Sequence, residues 1–298
     1  MAKGVSLHIG LNAVDAHHYA GWAGELAACE ADAASMEAIA RGVGYATRTL
    51  LTDAATRVSV GEAISEASRT LVAGDIFLVS YAGHGGQVPD VGGEEPDAAD
   101  ETWCLYDGQM IDDELYQFWK SFAAGVRVLV FSDSCHSGTV TRAARGALPL
   151  VATAKELLSF GIKTPRYRFM PPAVAANTYR ANKDFYDRLG KSVPSESGEP
   201  EAAVRLVSGC QDDQTSADGP FNGLFTGTLL KVWNEGAFEG DYARFHTEIV
   251  KLMPSCQRPN HFVIGQPAPE FDRQKPFAIM GLAHGQGEVS AAKPSQEV

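Results

Sequence analysis

Val126-Arg127-Val128-Leu129-Val130-Phe131-Ser132-Asp133-Ser134-Cys135-His136-Ser137-Gly138 begins as a strand and ends as a turn. The run 126–131, bounded by Gly125, has the length and β-branched content of a strand buried on both faces. Such a strand delivers Cys135 into a tight turn at its carboxyl end, and in open parallel sheets the crevice outside those ends is where ligands bind. Asp75-Ile76-Phe77-Leu78-Val79-Ser80-Tyr81 has the same design and opens into Ala82-Gly83-His84-Gly85-Gly86-Gln87. If the two strands are parallel neighbours, a cysteine and a histidine meet at one edge of one sheet.

Working outward, strand and helix alternate. Residues 5–12 read as a first strand, and the spacing of Leu26, Cys29, Ala33, Met36 and Ile39 predicts a helix over 25–41 stopped by Gly42. Residues 46–51 form a second strand, and Asp53 or Thr56 caps a helix that ends before Gly74. A hairpin over 102–111 turns at Asp107-Gly108, and Asp112 caps the helix that precedes the Cys135 strand. Further on, the pattern predicts a strand over 203–210, helices over 223–234 and 242–252, and a last strand over 276–280. This order implies an α/β fold, a three-layer α/β/α sandwich with a mainly parallel central sheet and right-handed crossovers. One domain over 1–283 is expected, with a loop-rich insertion over 139–200 and a disordered tail over 284–298.

Composition narrows the function. The 298 residues are 45% hydrophobic, enough for one large core, and the net charge of −12 argues against nucleic acid or an anionic membrane surface as partner. The first residues lack the apolar stretch of a signal peptide and nothing approaches a membrane span, so a cytoplasmic protein is the expectation, with a monomer favoured. Five scattered cysteines without a C-x-x-C pair suggest neither a disulfide framework nor a zinc site.

A cysteine taken alone is most often a small buried hydrophobe, and a lone histidine is most often structural. Their joint placement changes that reading. Cys135 and His84 both follow buried strands, both sit among glycines, and a histidine is the usual activator of a nucleophilic thiol. The backbone N–H groups of Gly85 and Cys135 are then positioned for an oxyanion. Asp133, two residues before Cys135, falls on the same face of its strand and suits a cationic substrate group, although a turn or cap role is an equal alternative on local propensity.

These residues resemble a known family. Tyr81-Ala82-Gly83-His84-Gly85 and Asp133-Ser134-Cys135-His136-Ser137-Gly138 are similar to the two active-site motifs of caspase-like peptidases, with the histidine about 50 residues upstream of the cysteine. The closer resemblance is to metacaspases, in particular the bacterial ones called orthocaspases. Cys29-Glu30-Ala31-Asp32, Asp100-Glu101-Thr102, Ile111-Asp112-Asp113-Glu114-Leu115 and Ser208-Gly209-Cys210-Gln211-Asp212-Asp213-Gln214-Thr215 also look like that family's motifs, so the match covers nearly the whole chain.

The resemblance implies a cysteine endopeptidase acting on peptides or proteins with Arg or Lys at P1, the residue before the cut bond. Cys135 is its expected nucleophile and His84 its general acid/base; Cys29, Asp32 and Asp133 are expected to shape the pocket. Ala82 stands where the family often has a serine, which removes a hydroxyl but not the charge. Many metacaspases are activated by calcium through aspartates matching Asp100, Asp112 and Asp113 and one seven residues after the nucleophile. That last position is Arg142, whose guanidinium would repel a dication, so the expectation is no metal and no other cofactor. The family also suggests self-cleavage in the basic stretch 139–200. No third residue is evident in the sequence to orient His84.

Two alternatives compete. A cysteine phosphatase requires C-x5-R, but Thr141 occupies the required position and the arginine falls one place late, which also leaves His84 without a role. A catalytically silent or latent caspase-fold binding or signalling module keeps both dyad residues intact and differs only in activity.

Overall fold

The computed structural model describes residues 1–90, 99–134, 166–193, 198–210, 216–219 and 221–279. Six strands form the central sheet in the order β11-β9-β7-β3-β1-β2. They are β1 (Gly4–Gly10), β2 (Ala46–Leu51), β3 (Ile76–Ala82), β7 (Arg127–Asp133), β9 (Ala203–Ser208) and β11 (Asn260–Gly265). All neighbouring pairs are parallel except β9 with β11.

Because side chains alternate along a strand, each central strand feeds two cores. On one face Leu7, Phe77, Val79, Val128 and Val130 pack with Val60 and Ile64 of α2 (Arg57–Thr70) and Leu115 and Trp119 of α3 (Asp112–Lys120). On the other, Ile76, Leu78, Leu129 and Phe131 pack with Met36 and Ile39 of α1 (Cys29–Val43), with Phe225 and Leu229 of a helix at Leu224–Trp233, and with Phe245 and Ile249 of a helix at Tyr242–Leu252. Every residue of β3 and β7 is buried, which is why their sequences are near-continuous apolar runs. The result is the expected three-layer α/β/α sandwich.

Several elements differ from what the sequence pattern predicts. Helix α1 begins at Cys29 rather than 25 and runs past Gly42 to Gly44, whose φ of 100° forms the left-handed cap. The stretch after His84 is a strand, β4 (Gly85–Pro89), which joins β5 (Ala99–Leu105) and β6 (Gly108–Ile111) in a three-stranded sheet. The hairpin turn at Asp107-Gly108 is as read, with Leu105 opposite Gly108. Asp112 is the first residue of α3 rather than its cap; the Glu114 carboxylate accepts the Ile111 N–H at 3.1 Å and pairs with Arg57 at 2.7 Å.

No strand covers 276–279. Phe277 is fully buried, but it reaches the core from a positive φ of 67° and packs on Trp233, Phe131 and Phe245. Among the described residues the last strand is instead the edge strand β11, whose exposed Phe262 and Val263 blur its pattern. Within the basic stretch the described part is ordered as β8 (Arg166–Tyr167), α4 (Pro172–Ala181) and α5 (Lys183–Ser192). Continuing the numbering, α6 is Leu224–Trp233, α7 is Tyr242–Leu252 and β10 is Ala217–Asp218, which pairs antiparallel with β8. Residues 139–165 and the tail 284–298 lie outside the described residues.

Candidate active site

Strands β3 and β7 are parallel neighbours with Ala82 opposite Asp133, so the chain following each emerges at the same sheet edge. His84 lies two residues beyond the end of β3. Cys135, and with it Arg142, lies outside the described residues, which end before it at Ser134.

His84 is 5% exposed and fixed on two sides. Its Nε2 lies 2.9 Å from the Gly24 carbonyl oxygen, and its ring packs on Trp22 at a centroid distance of 4.7 Å. A carbonyl only accepts, so Nε2 carries the proton and Nδ1 is the basic nitrogen. Nδ1 is buried and makes no well-formed hydrogen bond among the described residues, although the Phe169 backbone, like the Gly24 carbonyl, favours a proton on the ring. Burial pushes the imidazole down to about 4, with the Gly24 carbonyl opposing and the Arg168 charge adding to the fall. The backbone is held as well, because the His84 carbonyl accepts from Tyr81 Oη at 2.7 Å and from the Cys104 N–H at 2.9 Å.

Beside it, Asp32 on α1 and Asp133 at the end of β7 converge on one buried cavity, joined by a residue the sequence reading did not single out, Asp218 of β10. Their shared partner is Arg168, which is 0% exposed. Its Nη2 donates to Asp32 at 2.6 Å and to Asp218 at 2.9 Å; its Nη1 lies 3.0 Å from the Asp133 carboxylate and 3.2 Å from the Asp133 carbonyl.

Each carboxylate is also held by backbone. Asp32 accepts from the Gly223 N–H at 3.0 Å and from Asn222 at 2.9 Å, and Asp133 accepts from the Thr226 N–H at 3.1 Å, from its hydroxyl at 2.7 Å and from Ser216 at 2.7 Å. Asp218 accepts from the Ala27 N–H at 2.7 Å. Two of these sets sit at the N-terminus of α6 and the third at that of α1, where helix dipoles favour negative charge. Burial pushes the Asp32 carboxyl up and Asp133 adds to the rise, while Arg168 pulls it down. For Arg168, burial disfavours the charge, but Asp133, Asp32 and Asp218 hold it well above the usual arginine value.

Cys29, the remaining expected pocket residue, is fully buried at the start of α1, and its N–H donates to Asn12 at 3.0 Å. Burial pushes its thiol well up, so it behaves as an apolar wall. Asp100, Asp112 and Asp113 do not join this cavity. They lie on β5 and at the start of α3, where burial, then Glu101 and Asp100, push the Asp112 carboxyl up to about 8. Among the described residues no group of three or more histidine, cysteine or acidic side chains is arranged to hold a metal.

The Gly24 carbonyl, Asp218 and Arg168 were not visible in the sequence as parts of the site. A backbone carbonyl leaves no residue-type signal, and the other two lie in stretches without periodicity. Only the Asp218-Gly219 dipeptide hints at a turn there.

The caspase-domain family model matches residues 13–277. Metacaspase-1 of Schizosaccharomyces pombe is 31% identical over 265 residues, covering 78% of this chain and 59% of that protein. Metacaspase-1A of Neurospora crassa is 30% identical over 258 residues, covering 75% and 53%. The chain thus spans somewhat over half the length of these relatives. Among solved structures, protein GSU0716 from Geobacter sulfurreducens superposes with a TM-score of 0.83 at 53% identity, covering 93% of this chain and 99% of that one. Caspase-1 from Spodoptera frugiperda shares the fold, with a TM-score of 0.51 at 10% identity over 89% of this chain and 86% of its own.

Proposed function

The chain belongs to the caspase-domain family, and from that premise we propose that it is a cysteine endopeptidase cleaving after Arg or Lys. The observation that carries the basic preference is the cavity of Asp32, Asp133 and Asp218, which encloses a guanidinium on three sides next to His84. An aspartate side chain would meet only like charge there.

In the proposed reaction Cys135 Sγ attacks the carbonyl carbon after the basic residue while His84 Nδ1 takes the thiol proton. The carbonyl oxygen becomes an oxyanion facing the N–H groups of Gly85 and Cys135. The C–N bond then breaks, His84 returns the proton to the leaving amine, and a thioester remains. Water, deprotonated by the same nitrogen, hydrolyses the thioester and regenerates the thiol. A buried histidine with its pKa near 4 starts this cycle neutral, as a base must. The Gly24 carbonyl, by occupying Nε2, leaves Nδ1 as the nitrogen that can serve as the base.

Calcium-independent activity belongs to the same proposal, resting on Arg142 seven residues after Cys135, as does self-cleavage within 139–200. So do a cytoplasmic location and a monomer. Among the described residues no helix is long and apolar enough to cross a membrane.

The test is hydrolysis of fluorogenic peptides ending in Arg, Lys or Asp by wild type and Cys135→Ala, in chelator and again with calcium. Release after Arg and Lys, absent in the variant and unchanged by calcium, is the expected result. Release after Asp refutes the pocket assignment, and strong calcium dependence refutes the metal reading. Silence under every condition favours a latent zymogen or the binding-module alternative. Intact mass of the purified Cys135→Ala chain tests self-cleavage, because a chain that still arrives cut is not cutting itself.

A further inference from the structure

Arg168 does more than fill the acidic cavity, because its backbone is also bound as a strand. Its carbonyl oxygen accepts from the Gly85 N–H at 3.0 Å and its own N–H donates to the Ser216 carbonyl at 3.0 Å. The next N–H along, of Met170, donates to the Gly85 carbonyl at 2.8 Å, so the segment flanks β4 as a parallel bridge between Gly85 and Phe169. On its other side Tyr167 and Arg166 pair antiparallel with Ala217 and Asp218. Gln257 braces that side, accepting from the Ala217 N–H at 3.0 Å and donating to Ser216 Oγ at 2.9 Å.

These contacts match those of a peptide substrate. A peptide bound for cleavage needs an extended backbone added to a strand edge, a side chain in the specificity cavity and a carbonyl on the oxyanion donor. Arg168 meets all three conditions at once, with its carbonyl on the N–H assigned to the oxyanion. We propose that Arg166–Met170 is a built-in occupant of the peptide cleft, with Arg168 in the P1 position, so that outside peptides bind only by displacing it. The proposal rests on the peptidase reading for the meaning of P1, but its binding test does not require turnover.

One feature favours a displaceable occupant over a fixed core arginine: each of the three carboxylates is held by backbone or side-chain donors that do not involve Arg168, so the cavity keeps its shape for another cation.

The same geometry names a ligand class. Tyr167 is half-buried against the core on the α1 side, and Arg166 is exposed with its Nη1 3.1 Å from the Glu25 carbonyl. The preferred outside peptide is therefore basic, then aromatic, then Arg. A tethered segment competes at an effective concentration on the order of millimolar, so removing its anchor should strengthen binding of the outside peptide by about tenfold or more.

The test uses acetyl-Arg-Tyr-Arg-amide, titrated calorimetrically into the Cys135→Ala protein and into Cys135→Ala carrying Arg168→Ala. Binding at least tenfold tighter to the second protein is expected, together with a rise in its unfolding temperature on adding agmatine, a free guanidinium. Equal affinity for the two proteins, or no binding to the second, overturns the proposal. Should Arg168→Ala fail to fold, Arg168→Lys keeps a cation in the cavity with a weaker grip, and about threefold tighter peptide binding than in the Arg168 protein is expected. Equal affinity there overturns the proposal equally. If neither wild type nor Arg168→Ala with Cys135 intact hydrolyses any peptide while the affinity difference is found, the peptidase reading fails and the occupant stands; hydrolysis with equal affinities has the opposite meaning.

Discussion

Replacing Asp218 by Asn removes one charge from the arginine cavity while keeping the side chain's shape. The carboxylate accepts three hydrogen bonds: from Arg168 at 2.9 Å, from the Ala27 N–H at 2.7 Å and from the Ala28 N–H at 3.3 Å. The amide has one acceptor oxygen, so Asn either keeps the short Ala27 bond and turns its NH2 toward the guanidinium, or the reverse. Keeping the Ala27 bond forfeits both the Arg168 and Ala28 bonds, which share the other oxygen, whereas the reverse forfeits only the Ala27 bond; the milder loss is one charge-assisted bond, at a cost of about 1.5–3 kcal/mol. The opposing effect is relief of repulsion among three buried carboxylates, and Asp32 and Asp133 still compensate the guanidinium. The net loss should therefore lie at the low end, about 1.5 kcal/mol, or roughly tenfold in the folding equilibrium. Urea unfolding in the Cys135→Ala background measures it, as a lower midpoint with an unchanged denaturant slope. A change below about 0.5 kcal/mol, the range of an ordinary surface substitution, would refute the claim that Asp218 holds the arginine. Asp133→Asn should cost more, because that carboxylate also accepts from Ser216 and from both the N–H and hydroxyl of Thr226.

Three further outcomes follow from the same contacts. A Cβ at Gly223 would lie 2.5–2.8 Å from the Arg168 guanidinium atoms, so Gly223→Ala should raise KM for Arg peptides more than for the slimmer Lys peptides; equal effects on both would count against the cavity as the P1 pocket. With His84 lowered to about 4 chiefly by burial, the acid limb of kcat/KM should have its midpoint well below the usual histidine value of about 6.5, and a midpoint at 6.5 assigned to His84 would contradict the geometry. Asp112 is raised in the folded state to about 8 by burial and by Glu101 and Asp100, so folding binds a proton there. The stability this confers is complete below the unfolded carboxylate value of about 3.9 and is lost as pH rises toward 8. Wild type should accordingly lose stability relative to Asp112→Asn between pH 4 and 8 in parallel urea titrations, and parallel curves would exclude the shift.

Local signals carried the sheet and part of the site. Strands β3 and β7 are buried on both faces, and that requirement acts on every residue of each run, so it can be read without knowing the neighbours. Strand ends and alternation likewise pointed to His84 and Asp133, and a turn dipeptide to Asp107-Gly108, whereas Asp32 came from the family resemblance alone. Strand β11 escaped because an edge strand buries little on either face, and the apolar residues near 277 misled because they enter the core from a turn. The arginine cavity was beyond local reading. Arg168 meets Asp32, Asp133 and Asp218 across sequence separations of 136, 35 and 50 residues, and none of the four is marked by its neighbours as buried. A charged side chain is expected at the surface until partners that fully compensate it are brought to the same point. That compensation, like the choice of a backbone carbonyl to orient His84, exists only once the sheet has closed and the N-termini of α1 and α6 face one another across the end of β7.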